Sequence, residues 1–259
     1  EFPVILTVFL SMGAWRLAKK QSLVRRLPSV ETLGAVSVLC VDKTGTITMN
    51  QMALQRTWAF SGDENTLCET MGLGCETDAY EPMEKAMLLH CESLGISKER
   101  LFSGKLITEY AFTNELKMMG HVWRRNDEII IAAKGSPERI LTLCNLTGRA
   151  RTLVEEKITS MSEDGLRVIA VGMMKPRTEA DIPDTITKCS LTLCGLVGLA
   201  DPPRESVKHD ISACSKAGIR VVMITGDSGI TAASIARKIG MPHNGRIITG
   251  DMLDEMSDT

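Results

Sequence analysis

The chain has 259 residues, of which 44% are hydrophobic and 24% are charged. This composition excludes a disordered chain, because sequences that cannot fold contain fewer apolar and more charged residues. The formal net charge of −2 provides no extended positive surface and argues against nucleic acid as a partner. The length predicts one or two domains.

The N-terminal segment 2–15 is almost entirely apolar. A complete membrane span needs about 17–25 apolar residues, and a secretory signal has its basic residues before the apolar core. Here they come after it, at Arg16, Lys19, Lys20, Arg25 and Arg26. This order predicts the cytoplasmic half of a membrane helix, with a buried helix of a soluble protein as the alternative. The polar segment 252–259 predicts no terminal element, and we expect a fragment at both ends.

Two strand–loop–helix units lie far apart in the chain. The β-branched run 36–41 ends at Asp42 and a loop of glycine and threonine, and the run 219–224 leads into Thr225-Gly226-Asp227. A helix over 230–239, stopped by Gly240, follows the second run, and another over 204–217 precedes it. Such units predict a doubly wound parallel sheet with its chemistry at the carboxyl ends of the strands.

The middle of the chain has a different pattern and predicts an α+β insert. Helices are expected from Pro82 toward Gly95, after Ser136 and Pro137, and over 151–165. Predicted strands cover 106–112, 118–124, 129–133, 166–172 and 191–199.

Cysteine and histidine give no sign of a metal site. The eight cysteines form no CxxC pair, and we interpret them as reduced, mostly buried thiols. The four histidines form no HxxH or HExxH pair, so we expect them to be structural.

The heptapeptide DKTGTIT at 42–48 carries the most chemical information. A carboxylate at a strand end can attack phosphorus while backbone N–H groups, hydroxyls and Mg²⁺ hold the phosphoryl oxygens. The motif resembles the phosphorylation motif of P-type ATPases, membrane cation pumps with a haloacid-dehalogenase-like catalytic core. The resemblance implies that Asp42, Lys43 and Thr44 are catalytic, that Asp42 and Thr44 bind Mg²⁺, and that Thr46 contacts ATP.

Thr44 stands where related phosphatases usually have a second aspartate that acts as general acid and base. A hydroxyl cannot perform that proton transfer, so an aspartyl phosphate at Asp42 is expected to be long-lived. This substitution argues against a soluble phosphatase.

Two further segments resemble motifs of the same family. Thr225-Gly226-Asp227 resembles its second phosphate-binding motif, which implies catalytic roles for all three residues. Asp201-Pro202-Pro203-Arg204 resembles the hinge between the family's catalytic and nucleotide domains, and Asp201 and Arg204 are expected to contact the cofactor. A plain strand-to-helix turn and a proline-stiffened loop are the respective alternatives.

The insert carries the segments that resemble the family's nucleotide site. Lys134-Gly135-Ser136-Pro137-Glu138 resembles its KGxPE signature, which implies that Lys134 lies along adenine or reaches phosphate and that Gly135 allows close approach. An exposed lysine before a helix is the alternative.

The other expected nucleotide contacts also come from the resemblance. Phe112 would stack on adenine with Lys117 nearby, Glu84 would accept a hydrogen bond from the adenine amino group, and Arg167 would contact the phosphates. The alternatives are a core phenylalanine, a glutamate favoured by the helix dipole and a surface arginine.

The resemblance covers almost the whole chain and implies an incomplete haloacid-dehalogenase-like α/β sheet with an inserted α+β nucleotide-binding domain. Residues 1–34 are expected to form a half membrane helix and stalk, and residues 35–54 the first part of the phosphorylation domain. Residues 55–196 would form the nucleotide-binding domain, and residues 197–259 the truncated second part of the phosphorylation domain.

The predicted function is ATP binding and aspartyl-phosphate formation at Asp42, with ATP and Mg²⁺, to drive cation transport. The expected partners are the membrane and the actuator and transmembrane domains of a multi-pass parent, with this portion on the cytoplasmic face. Calcium is the first expected cation, because the segment that starts at Glu1 resembles the fourth helix of calcium-type pumps; sodium, potassium and protons remain open.

The family's TGDGxNDxP and TGES motifs do not occur, so this polypeptide alone is not expected to pump. The alternatives are a non-catalytic ATP-binding or regulatory module and a soluble phosphatase.

Overall fold

The N-terminal segment forms a long helix, α1 (Phe2–Lys19), followed by the short α2 (Pro28–Gly34). The computed structural model describes residues 2–227, 229–242 and 247–256, so Glu1 lies outside the described residues. Helix α1 has a mean hydropathy of 1.3, is long and apolar enough to cross a membrane, and has no buried residue. A buried helix of a soluble protein, the alternative reading, does not fit this exposure.

Strands β1 (Val38–Asp42) and β8 (Arg220–Ile224) form a parallel pair, as the two strand–loop–helix units predict. Helices α8 (Val207–Lys216) and α9 (Gly229–Lys238) flank β8 in the chain. Apolar side chains from these elements and from the loop after β1 form one buried cluster: Ile47, Val207, Ile211, Val221, Ile235 and Ile239.

The intervening chain forms a six-stranded antiparallel sheet in the order β2-β7-β6-β5-β4-β3. Its strands are β2 (Ala53–Ala59), β3 (Lys105–Tyr110), β4 (Met118–Arg125), β5 (Glu128–Gly135), β6 (Arg167–Met174) and β7 (Thr192–Ala200). The β4–β5 turn places Asn126 and Asp127 at positive φ, as tight hairpin turns require.

Helices cover both faces of this sheet. On one face lie α3 (Glu64–Leu73), α4 (Pro82–Ser93) and the short α5 (Lys98–Leu101), which pack with Trp123 and Val171 of the strands. On the other face, α6 (Pro137–Ile140) and α7 (Gly148–Glu163) pack with Ile131 and Ala170. Each face therefore has its own apolar core.

The mixed α/β class with parallel and antiparallel sheets is confirmed. The predictions missed β2 and α3, and they were wrong about the C-terminal end, where α10 (Gly250–Asp254) forms with the Thr249 hydroxyl as its cap. The expected boundaries after residues 54 and 196 fall inside β2 and β7, which pair with each other. The division into domains stays a prediction.

Candidate functional site

Asp42 is the last residue of β1 and lies opposite Ile224, the last residue of β8. Because the strands are parallel, the loops that follow them leave the sheet at the same edge. The Asp42 side chain is exposed, and Thr225, Gly226 and Asp227 follow directly after β8. The fold thus brings both predicted phosphate motifs to one place.

Lys43 connects the two loops. Its ammonium nitrogen lies 2.6 Å from Asp227 Oδ2, and its side chain is only 8% exposed. The backbone N–H of Asp227 donates to the Thr225 hydroxyl at 3.1 Å. Lys43 therefore compensates the charge of Asp227, whereas Asp42 remains open to solvent.

The loop over 43–47 turns at Gly45, whose φ is 77°. Thr44 and Thr46 are exposed, but Thr48 is fully buried. The Thr48 hydroxyl donates to Asp201 Oδ2 at 2.5 Å and accepts from the Gly45 N–H at 3.3 Å. The buried Thr48 side chain therefore holds the loop in its shape from the interior of the protein.

The segment that begins at Asp201 holds the same loop. Asp201 Oδ1 accepts from the backbone N–H of Gln51 at 3.0 Å, and the Arg204 guanidinium donates to the Gly45 carbonyl at 2.9 Å. Both side chains were expected to contact a cofactor, but the contacts that the structure gives them are with the chain itself.

A second group of predicted residues lies on the six-stranded sheet. The Lys134 ammonium pairs with the Glu84 carboxylate and also donates to the Gly74 carbonyl. Both side chains of the pair are 7% exposed. The alternative reading of Lys134 as an exposed residue is therefore wrong, and Glu84 is more than a solvated residue of the first helical turn.

Gly135 lies where no side chain fits. A Cβ atom at this position would lie 2.5 Å from the Lys117 carbonyl oxygen and 2.6 Å from Met118 Cα. That carbonyl accepts from the Ser136 N–H at 2.9 Å, and Lys117 itself has a φ of 52°. The Ser136 hydroxyl oxygen is buried without a hydrogen-bond partner among the described residues.

Phe112 and Arg167 complete the second group. The Phe112 side chain is 55% exposed in the segment between β3 and β4, so the reading of it as a core residue is wrong. The Arg167 side chain on β6 is exposed, and one of its guanidinium nitrogens lies 3.6 Å from the Met83 sulfur, next to Glu84. Between described residues, no hydrogen bond or ion pair joins this group to the loops after β1 and β8.

Three buried thiols lie in the apolar core that α3 and α4 form with the sheet. Burial raises the pKa of Cys68 and of Cys75 to about 11 and that of Cys91 to about 12. They remain protonated at neutral pH and do not act as nucleophiles. All eight cysteines are free and six are buried, as expected.

The sequence reading missed a cluster formed by Glu76, Glu109 and His121. His121 lies opposite Glu109 across the β3–β4 pair, and Glu76 follows α3. No spacing along the chain indicates these three ligands, because only strand register and packing bring them together.

Comparisons with known proteins agree with the motifs. The family model for the cytoplasmic N domain of P-type ATPases matches residues 49–206. A probable cation-transporting ATPase F of Mycobacterium tuberculosis is 32% identical over 309 residues, which cover 98% of this chain and 34% of that protein.

Two calcium pumps give similar figures. Calcium-transporting ATPase 1 of Saccharomyces cerevisiae is 32% identical over 316 residues, covering 99% of this chain and 32% of that protein. The calcium-transporting ATPase of Bacillus subtilis is 31% identical over 307 residues, covering 98% and 34%. The chain spans about a third of the length of the curated relatives it matches.

Proposed function

This chain belongs to the P-type ATPases, and we propose that it is the ATP-binding catalytic portion of a cation-transporting member that forms an aspartyl phosphate at Asp42. The observation that carries the proposal is the exposed Asp42 carboxylate beside the Lys43–Asp227 pair, at the shared carboxyl edge of two parallel strands. This edge is where open α/β sheets perform their chemistry.

In the proposed reaction, an oxygen of the Asp42 carboxylate attacks the γ-phosphorus of ATP. A new oxygen–phosphorus bond forms, the bond from the γ-phosphorus to the bridging oxygen breaks, and ADP leaves. Thr225 and the backbone N–H of Gly226 donate to the phosphoryl oxygens. Thr44 offers no carboxylate to activate water, so the acyl phosphate persists.

The donors at this edge suit the expected metal. Asp42 and Thr44 offer oxygen ligands, which Mg²⁺ prefers. When bound, Mg²⁺ neutralises charge on the transferred phosphoryl group. Asp227 is paired with Lys43 and is not needed as a ligand.

The second group suits ATP. The exposed Phe112 ring is available for stacking on adenine. Lys117, five residues further along the chain, would lie near the nucleotide, and the Glu84 carboxylate would accept from the adenine amino group. The unpartnered Ser136 hydroxyl next to Lys134 and Gly135 supplies a polar group that a ligand can satisfy. Arg167 and Thr46 supply donors for the phosphates.

The wider organisation is also proposed from the family. Residues 35–54 and 197–259 form a haloacid-dehalogenase-like phosphorylation domain, and 55–196 form the inserted nucleotide domain. Asp201 and Arg204 form the hinge between them, which is supported by their bonds to the loop after β1. Segment 1–34 is a membrane helix with its stalk, and the domains lie on the cytoplasmic face of a membrane.

The parent pump would supply the actuator and the remaining transmembrane domains. Calcium is the proposed cation, because two of the relatives described above are named calcium-transporting ATPases.

The test is incubation with γ-labelled ATP and Mg²⁺, an acid quench and treatment with hydroxylamine. Label on the chain should survive acid, be removed by hydroxylamine and be lost in Asp42→Asn. Asp127→Asn is the matched control, because the exposed Asp127 has a positive φ that asparagine also tolerates. Label that persists in Asp42→Asn would contradict the proposal. ATP binding without any label would favour the non-catalytic ATP-binding module.

A further inference from the structure

We propose that Glu76, Glu109 and His121 bind a divalent transition-metal ion of the zinc type. One ligand atom from each side chain lies within 4.8 Å of the other two. None of the three residues belongs to the proposed phosphorylation site or the proposed nucleotide site.

The fold brings the three side chains together from separate segments. Glu109 of β3 lies directly opposite His121 of β4, so both side chains point to the same face of the sheet. Glu76 reaches this face from the segment between α3 and α4. The His121 side chain is 2% exposed and that of Glu76 is 40% exposed, so the cluster lies at the margin of the core.

A hydrogen bond orients the imidazole for metal binding. His121 Nδ1 lies 3.2 Å from the Leu73 carbonyl oxygen, which can only accept. Nδ1 must therefore carry the hydrogen, and Nε2 of the neutral ring keeps its lone pair. Trp123 Nε1 donates to the same carbonyl at 2.8 Å and helps to fix it.

His121 Nε2 is left without a hydrogen-bond partner among the residues that the structure describes. It lies 3.8 Å from Glu76 Oε1, beyond hydrogen-bond distance. A metal-binding histidine almost always donates its other ring N–H to a carbonyl, a carboxylate or water, and the Nδ1–Leu73 bond supplies that feature here.

The ligand set selects the class of metal. One imidazole nitrogen and two carboxylate oxygens suit Zn²⁺, whose bonds of about 2.0–2.2 Å place tetrahedral ligand atoms about 3.4 Å apart. The ligand atoms now lie up to 4.8 Å apart, so binding requires the glutamate side chains to move toward the imidazole. Mg²⁺ prefers oxygen ligands, so this ion differs from the one expected with ATP.

The bound ion would connect the segment after α3 to β3 and β4. Glu76 is two residues from Gly74, whose carbonyl accepts from Lys134. The metal site therefore neighbours the proposed nucleotide site without sharing a residue with it.

The test is calorimetric titration of the full 259-residue chain, held in detergent, with zinc chloride alone. We expect one Zn²⁺ per chain, and Co²⁺ at the same site should give visible absorption bands of a tetrahedral complex. Zn²⁺ affinity should fall at least about tenfold in Glu109→Gln and in His121→Asn. The asparagine amide can still donate to the Leu73 carbonyl, so that variant removes the ligand while retaining the bond.

His209→Asn is the matched control, because the His209 side chain is 87% exposed on α8. It should bind Zn²⁺ as the unchanged chain does. If His121→Asn fails to fold, Glu109→Gln decides the question, since the Glu109 side chain is exposed. Absence of Zn²⁺ binding, or equal affinity in the unchanged chain and Glu109→Gln, would overturn the proposal.

Discussion

A buried ion pair lies at the base of the proposed nucleotide site. Lys134 and Glu84 are both almost fully enclosed, and Lys134 also bonds to the Gly74 carbonyl. Taking two charges out of water is costly, and removal of one partner leaves the other charge uncompensated. The pair therefore matters for stability independently of any ligand.

We expect Lys134→Met to lower the free energy of unfolding by about 3–5 kcal/mol, because it leaves the Glu84 carboxylate buried without a cation. The double variant Lys134→Met with Glu84→Gln should regain most of this loss, since no unpaired charge remains. Urea denaturation of the three proteins measures the effect. A double variant less stable than Lys134→Met would show that the buried charge is not the cause.

Gly135 and Gly74 offer a matched pair of glycine substitutions. Gly135→Ala should cost about 1–3 kcal/mol, because the new methyl group would meet the backbone of Lys117 and Met118. Gly74→Ala should change stability much less, since its nearest neighbours would lie 3.5 Å away. Equal denaturation midpoints for the two variants would contradict this.

At the scale of elements, the sequence predicted those with strong local signals. The parallel strands β1 and β8 each end at a glycine-containing loop, and the turn between β4 and β5 has residues that favour positive φ. Strand β2 was missed because its sequence, ALQRTWA, lacks the apolar alternation typical of a half-buried strand, and its place depends on pairing with the distant β7. Helix α3 had a readable signal, the Asp63 side chain that caps its first turn.

The thiols of α3 and α4 make stability depend on pH. Burial raises the pKa of Cys91 from 9.0 to about 12 and that of Cys68 to about 11. The unfolded chain therefore loses these protons first, so the folded state binds more protons at alkaline pH and its stability falls as pH rises.

We expect the free energy of unfolding to fall from about pH 9 onward, and to fall less steeply in Cys91→Ala measured against its own value at pH 7. Urea denaturation at a series of pH values tests this. An identical pH dependence in Cys91→Ala and the unchanged chain would contradict the contribution of this thiol.

For the molecule as a whole, composition and motifs predicted the class and the family, but they did not predict how the candidate residues contact one another. Asp42 and Thr225 could be placed together because parallel strands share an edge. The Lys134–Glu84 pair, the Thr48–Asp201 bond and the Glu109–His121 pairing join segments far apart in the chain. Such contacts depend on strand register and helix packing, which a single sequence does not encode in any local spacing.

Helix α1 should contribute to membrane binding and little to folding. Deletion of residues 2–27 should leave the free energy of unfolding within about 0.5 kcal/mol, because no residue of α1 is buried. The full chain should float with liposomes in a density gradient, and the shortened chain should not. Flotation of the shortened chain, or a large loss of its stability, would show that another surface binds lipid or that α1 supports the fold.

The most direct measurement is calorimetric titration of the full chain with ATP and Mg²⁺, repeated with Phe112→Ala and with Leu153→Ala. Saturable binding of one ATP should weaken about 5- to 150-fold in Phe112→Ala, because stacking of a base on an aromatic ring contributes about 1–3 kcal/mol. Leu153→Ala, which alters a side chain 47% exposed on α7, should bind as the unchanged chain does. Absence of ATP binding, or unchanged affinity in Phe112→Ala, would contradict the nucleotide site proposed on the six-stranded sheet.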